Sequence, residues 1–191
     1  MRVIAGKFGS RVLDAPAGQA TRPTSDRLRE TLFNVLAPRM EDARVLDLYA
    51  GSGAVGLEAV SRGAREAVMV ERDETALKAL RGNVARLGVA AECRIHASGV
   101  AAWLKRERTR AAEFDVVFLD PPYDAEEEYA AALGLLGMQE GLLARDAVVV
   151  AEHRKQMDLE EQYGRLRRTR VLKQGDAKLS FYSVEDVAEA D

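Results

Sequence analysis

The tetrapeptide Asp120-Pro121-Pro122-Tyr123 carries the most specific chemistry in the chain. Two successive prolines stiffen the backbone and remove two N–H donors. What remains is a rigid set of acceptors, the Asp120 carboxylate and the Pro121 carbonyl, beside the Tyr123 ring. An exocyclic amine on guanine, adenine or cytosine is a poor nucleophile because its lone pair is delocalised into the ring. Two acceptors that hold its hydrogens draw the nitrogen towards pyramidal geometry and expose the lone pair. The tyrosine face suits stacking of the base. Asp120, Pro121, Pro122 and Tyr123 are therefore the candidate catalytic residues for group transfer to a base amine. The tetrapeptide alone leaves three bases and two nucleic acids open.

A second motif, Asp47-Leu48-Tyr49-Ala50-Gly51-Ser52-Gly53, sits where an apolar strand turns into a helix. Gly51 and Gly53 permit a tight turn and a close backbone approach to a ligand. Glu71 ends the next strand, 18 residues after Gly53. A carboxylate there can accept from both ribose hydroxyls of an adenosine. The run Gly51 to Gly56 also satisfies G-x-G-x-x-G, which does not separate a dinucleotide from another adenosine ligand. Asp47 discriminates: an acid before the glycines favours an ammonium group and repels a pyrophosphate. S-adenosylmethionine has a cationic amino-acid end and no pyrophosphate, and it is the expected cofactor. The candidate cofactor residues are Asp47, Tyr49, Ala50, Gly51, Ser52, Gly53, Glu71, Arg72, Ser98, Gly99 and Asp120. Ser98 and Gly99 follow the third strand, where the adenine should lie. Many methyltransferases carry an acid at that place, so the Ser98 hydroxyl or backbone groups would make the contact.

The elements that must position these residues alternate along the chain. Residues 2–5 and 11–14 flank Gly6-Lys7-Phe8-Gly9 and read as a hairpin. A helix follows with Thr24 or Ser25 as N-cap, Leu28, Leu32, Val35 and Leu36 on one face, and Pro38 as its end. From residue 43, strands at Val45–Leu48, Ala67–Glu71, Arg94–His96, Phe114–Leu119 and Ala147–Glu152 alternate with helices at Val55–Arg62, Asp73–Leu87, about Gly99 to Arg108 and Glu126–Leu136. Asp73 is the expected cap and Gly88 the expected stop of the long helix. Phe114–Leu119 is apolar on both faces, as a central parallel strand should be. Arg167–Leu172 and Leu179–Val184 form a closing antiparallel pair. This order predicts an α/β fold with a doubly wound sheet.

Composition narrows the setting. The chain has 191 residues, 47% apolar and 31% charged, which suits a single core without disulfides or metals. One cysteine (Cys93) and two histidines (His96, His153) speak against a structural zinc site, and no metal is expected. Cys93, on a strand, reads as buried rather than nucleophilic. The histidines read as structural or solvated rather than as bases. No stretch resembles a signal peptide or a membrane span, so the cytoplasm is the expected compartment. Net charge is −3, yet residues 1–40 carry +4 and the remainder −7. A basic segment on an acidic body can hold phosphates. Lys7, Arg11, Arg22 and Arg27 form one candidate cluster, and Arg165, Arg167, Arg168, Arg170 and Lys173 a second.

Together, Thr21-Arg22-Pro23-Thr24, Arg29-Glu30-Thr31-Leu32-Phe33-Asn34, the Asp47–Gly53 loop and Asp120-Pro121-Pro122-Tyr123 resemble the bacterial RsmD family over nearly the whole chain. The loop and the tetrapeptide are shared by many amino-methyltransferases, and the N-terminal block narrows the likeness to this family. The resemblance implies methylation of N2 of a guanine in 16S rRNA, with guanine-966 as the family target. It implies a Rossmann-like S-adenosylmethionine-dependent methyltransferase fold: a seven-stranded, mostly parallel sheet with an antiparallel C-terminal strand. It further implies an N-terminal hairpin and helix extension (1–40) before the methyltransferase domain (41–191). Thr24, Arg29 and Asn34 would lie near the cofactor or the target base and join the RNA-binding candidates. The partner would be 16S rRNA or the small subunit, and the protein a monomer. A guanine amine is hidden in a duplex, so the target should be unpaired or flipped out.

Three other functions fit parts of the pattern. A DNA adenine-N6 or cytosine-N4 methyltransferase uses the same tetrapeptide, but no separate target-recognition region is visible. An NAD-binding oxidoreductase would use G-x-G-x-x-G, but no hydride-transfer constellation accompanies it. A non-catalytic RNA-binding assembly factor would not need both Asp47 and Asp120.

Overall fold

Helix ends form where the side chains dictate. Ser25 Oγ accepts from Leu28 N (3.2 Å) and opens α1 (Asp26–Leu36), which a single 3-10 turn at Ala37–Arg39 closes around Pro38. Asp73 Oδ1 accepts from Ala76 N (2.8 Å) and opens α3 (Glu74–Leu87), and Gly88 closes it in the left-handed region at φ 69°. The computed structural model describes residues 1–16, 25–107, 113–122 and 126–185. They divide into two units, Met1–Val100 and Ala101–Asp191.

In the first unit, β1 (Arg44–Leu48), β2 (Glu66–Glu71) and β3 (Cys93–Ala97) run parallel in the order β3-β2-β1. Leu46 pairs with Val68 and Met69 with Ile95. β1 and β2 are buried almost throughout, as the apolar Val45, Leu46 and Leu48 and the run from Ala67 to Val70 require. The helix α2 (Ala54–Ser61) connects β1 to β2, and α3 connects β2 to β3. Leu57, Leu77 and Leu80 bury themselves with Ala67 and Met69 in one core.

Val3 and Leu13 belong to that same core. The N-terminal arms expected as a hairpin meet antiparallel through one bridge, Arg2 to Val12, with Val3 N donating to Arg11 O (2.9 Å) and Leu13 N to Met1 O (3.0 Å). The intervening turn bonds to α2 instead of continuing the ladder. The buried Glu58 carboxylate accepts from Ile4 N (2.6 Å), Ala5 N (3.1 Å) and Arg62 Nε (2.7 Å). Ser61 Oγ accepts from Phe8 N (2.9 Å) and donates to Ala5 O (2.5 Å), while Ser61 O accepts from Lys7 N (2.7 Å). Gly6 makes this approach possible: at φ 81°, a Cβ would stand 1.9 Å from Ser61 O.

In the second unit, β4 (Phe114–Leu119) pairs parallel with β5 (Leu143–Arg154). The order β4-β5-β8-β7-β6 continues with antiparallel pairings through β8 (Ala177–Val184), β7 (Leu166–Gln174) and β6 (Gln162–Tyr163). The α4 helix (Val100–Arg106) and α5 (Glu126–Met138) supply Trp103, Tyr129, Leu133 and Leu136 to the interior. The strands number eight among the described residues, against the seven implied by the resemblance. The additional short strand, β6, is a two-residue pairing, below the length that an apolar pattern can reveal. The alternation of strands and helices is otherwise as read from the sequence.

Gly6→Ala is expected to detach the N-terminal turn from α2 and lower stability by about 2 kcal/mol or more. Gly9→Ala, whose Cβ would meet nothing closer than 3.4 Å, should stay within about 0.5 kcal/mol of the parent. Urea unfolding of both variants checks the pair.

Candidate functional site

The β1–α2 loop takes its shape from groups outside it. Tyr49, Gly51 and Gly53 all occupy the left-handed region, at φ 66°, 56° and 82°. Ala50 N donates to Val70 O (3.0 Å) and Gly53 N to Ala50 O (2.8 Å). A Cβ at Gly53 would collide with the Leu80 side chain at 2.3 Å, and one at Gly56 would stand 2.7 Å from Met69 Sδ. A Cβ at Gly51 would meet nothing within 4 Å. Gly53 and Gly56 thus serve internal packing, while Gly51 borders open space that a ligand can use.

Two carboxylates brace the loop. Glu71 Oε2 accepts from Gly51 N (2.8 Å), and its Oε1 accepts from Arg72 N (2.7 Å) and Asp73 N (2.8 Å). A carboxylate offers about four lone-pair directions. Three backbone amides orient this one and leave room for a ribose hydroxyl. Asp47 is 2% exposed and accepts from Gly56 N through Oδ2 at 2.9 Å. Burial pushes its carboxyl up to about 7; the Gly56 N–H opposes the rise and the neighbouring Glu71 charge adds to it. A buried acid in this state gains from a cation, which is what the ammonium end of S-adenosylmethionine offers. Open space at Gly51, a fixed carboxylate at Glu71 and a cation-seeking one at Asp47 fit that cofactor.

The remaining sequence candidates fall in several places. Arg72 is exposed, and Ser98 and Gly99 follow β3 half-buried. Ser98 N donates to Glu71 O (2.9 Å), which fixes the segment after β3 to the end of β2. Asp120 and Pro121 follow β4 directly, Asp120 half-buried and Pro121 buried, with Pro122 exposed. Tyr123, Arg22 and Thr24 lie outside the described residues. Lys7, Arg11, Arg27 and Asn34 are exposed. Arg29 is fully buried, its Nη2 donating to Arg2 O (2.7 Å) and Asp26 Oδ1 (2.8 Å), so it pins α1 to the N-terminal arm.

The second basic cluster is partly engaged: Arg165 Nη2 donates to Gln139 O (3.1 Å), Arg168 Nη1 to Leu159 O (2.7 Å), and Arg167 pairs with Glu185. Arg170 and Lys173 are exposed on β7. Burial, with Glu92 adding, pushes the Cys93 thiol up to about 12, so it is inert at neutral pH. His153 is buried, its Nε2 2.8 Å from Ser180 Oγ, and burial holds it below the ordinary histidine value. Among the described residues, no group of three or more acids, histidines or cysteines could hold a metal ion. None of the described helices is long and apolar enough to cross a membrane.

Sequence reading missed Glu58, Ser61 and Asn83. Each is a polar residue at a buried helical position, and that anomaly is the only trace they leave in one sequence.

The chain matches the family model described as Conserved hypothetical protein 95 over residues 1–183. It is 36% identical to YlbH of Bacillus subtilis over 182 residues, covering 95% of this chain and 98% of that one. It is 43% identical to ribosomal RNA small subunit methyltransferase D of Escherichia coli over 123 residues, 64% of this chain and 60% of that one. The solved structure of Escherichia coli yhhF superposes with a TM-score of 0.83 at 32% identity, covering 97% of this chain and 98% of that one. The Thermus thermophilus 16S rRNA N2 G1207 methyltransferase RsmC, solved with AdoMet and guanosine, superposes at 0.69 with 26% identity, covering 88% of this chain and 44% of that one.

The raised Asp47 carboxyl has a signed consequence. The folded chain keeps a proton that the unfolded chain releases near 3.8. Its contribution to stability is complete below that value and is lost as pH rises to about 7. Asp47→Asn cannot ionise, so its stability relative to the parent should improve from pH 4 to pH 7 and level off above. Urea unfolding across that range measures it, and a pH-independent difference would show that Asp47 titrates as an ordinary carboxylate.

Proposed function

The chain belongs to the family described as Conserved hypothetical protein 95, the RsmD family of rRNA methyltransferases, and on that premise we propose that it methylates the exocyclic N2 of a guanine in 16S rRNA. The cofactor is S-adenosylmethionine. When bound, it supplies an electrophilic methyl group on a sulfonium.

The chain's own residues supply positioning and proton control. Asp47 neutralises the ammonium end of the cofactor, and Glu71 accepts from its ribose. Gly51 leaves the loop open to it. The Asp120 carboxylate and the Pro121 carbonyl accept from the two N2 hydrogens of guanine. That holds the nitrogen out of conjugation with its lone pair available. As the nitrogen gains a carbon it sheds one hydrogen as a proton, and Asp120 is the base that takes it. Pro122 offers no N–H to compete with the amine for these acceptors.

One observation carries this reading: Asp120 and the buried Pro121 stand directly at the carboxyl end of β4, the end of an α/β strand where ligands bind. The choice of guanine N2 is supported by the Thermus thermophilus relative, named for N2 of a 16S rRNA guanine and solved with guanosine. The exposed Lys7, Arg11 and Arg27 are the proposed phosphate contacts. The target guanine is unpaired or flipped out of its helix, in free 16S rRNA or in the small subunit.

Supplying tritiated cofactor with small ribosomal subunits, free 16S rRNA and DNA tests the proposal. Label is expected in the ribosomal RNA and absent from DNA. Asp120→Ala should cut incorporation by at least about a thousandfold while leaving S-adenosylhomocysteine binding within a fewfold of the parent. Label in DNA alone, or full activity of Asp120→Ala, would sink it.

A further inference from the structure

Asn83 occupies the buried stripe of α3 among Ala76, Leu77, Leu80 and Val84, and it is 0% exposed. Asparagine is a poor choice for a helix interior, where it competes with the backbone for hydrogen bonds, and an apolar residue would fill the stripe without an amide to satisfy. Both amide donors and the carbonyl oxygen are engaged. Nδ2 donates to Ser52 O (3.0 Å) and to Asp14 O (3.0 Å), and Oδ1 accepts from Asp14 N (2.8 Å). One side chain therefore joins the cofactor loop to the end of the N-terminal segment.

The carbonyl it holds is a consequential one. Ser52 is 5% exposed and lies between two left-handed glycines, Gly51 and Gly53. That carbonyl shares its peptide plane with the Gly53 N–H, which donates to Ala50 O (2.8 Å) and closes the turn. Ser52 also donates through Oγ to Met1 Sδ at 3.8 Å, a second tie to the same segment. At its other contacts the segment is anchored on α2 through Glu58 and Ser61. From solvent, Arg86 pairs with Asp14 and donates to Val12 O (3.2 Å).

We infer that Asn83 is a positioning residue for the cofactor loop, and that through it the loop and the segment Met1–Asp14 tighten together. A ligand that fixes the Ser52 peptide fixes the Asn83 amide and with it the Asp14 backbone. Coupling of this kind is reciprocal, so whatever immobilises the segment also strengthens cofactor binding. Lys7 and Arg11 lie on that segment, and a polyanion held there would raise cofactor affinity. The inference rests on the cofactor reading of the loop.

S-adenosylhomocysteine binding by calorimetry and amide hydrogen exchange on the full chain test it together. In the parent, the Asp14 amide should gain protection when S-adenosylhomocysteine is added. Asn83→Asp keeps the acceptor for Asp14 N but loses both donors, and Asn83→Leu loses all three bonds. Both should weaken S-adenosylhomocysteine binding about tenfold, and Asn83→Asp should no longer transmit protection to Asp14. Arg86→Ala removes an exposed pair that holds Asp14 only weakly and does not touch Ser52, so its affinity should fall by no more than about twofold. If Asn83→Leu does not fold, Asn83→Asp and the parent decide the matter. Parent-like affinity in a folded Asn83→Asp, or binding by the parent with Asp14 exchange unmoved, overturns the coupling alone. A parent that does not bind S-adenosylhomocysteine overturns the cofactor reading as well.

Discussion

A turn that visits the left-handed region three times in five residues does not hold its own shape. At Tyr49, Gly51 and Gly53 the backbone adopts conformations that cost an ordinary residue free energy and leave glycine merely unrestrained. The constraint comes from neighbours: Asp47 on the Gly56 amide, Glu71 on the Gly51 amide, and Asn83 on the Ser52 carbonyl. These polar side chains, at the end of β1, the end of β2 and the middle of α3, convert a permissive sequence into one loop conformation. The start of α2 follows from that loop. Glu58 and Ser61, one and two turns further along α2, then capture the N-terminal segment.

On the proposed role of Asp47 towards the cofactor, a costly group becomes useful. Burying Asp47 under one amide bond penalises its charge and holds it near neutrality in pKa. A structure-only role would favour an uncharged side chain at this position. A site that must receive an ammonium group gains from a carboxylate whose solvation has already been removed, because the bound cation then replaces water as its partner. Glu71 differs in kind: three backbone amides satisfy it, so it orients without demanding a counter-charge.

Local features were legible in the sequence. Asp73 and Gly88 end α3 as their residue types require, and the apolar runs of β1, β2 and β4 are buried as central parallel strands must be. The spacing of Asp47, Gly51 and Glu71 reflects one strand–turn–helix–strand unit, which brings Glu71 onto the Gly51 amide. Long-range contacts were not legible. Asn83 bonds to Asp14, 69 positions away, and Glu58 to Ile4, 54 positions away, and neither pairing leaves a periodic signal. Arg29 belongs to a basic, N-terminal block that suggests phosphate contact, yet tertiary packing buries it against Arg2 and Asp26. β5 extends over 12 residues although only its apolar stretch announces a strand, because Leu143 pairs with Phe114 ahead of an irregularity in the register that precedes Val148.

The proposed reaction turns on a single atom, the exocyclic N2 of guanine in 16S rRNA. Mass spectrometry of nuclease-digested 16S rRNA, after incubation with the enzyme and S-adenosylmethionine, reports the modified base directly. One added methyl on a guanosine, identified by fragmentation as N2-methylguanosine, is the expected result. Methyl-adenosine or N4-methylcytidine instead, or no gain in mass on any nucleoside under conditions where the cofactor binds, would contradict it.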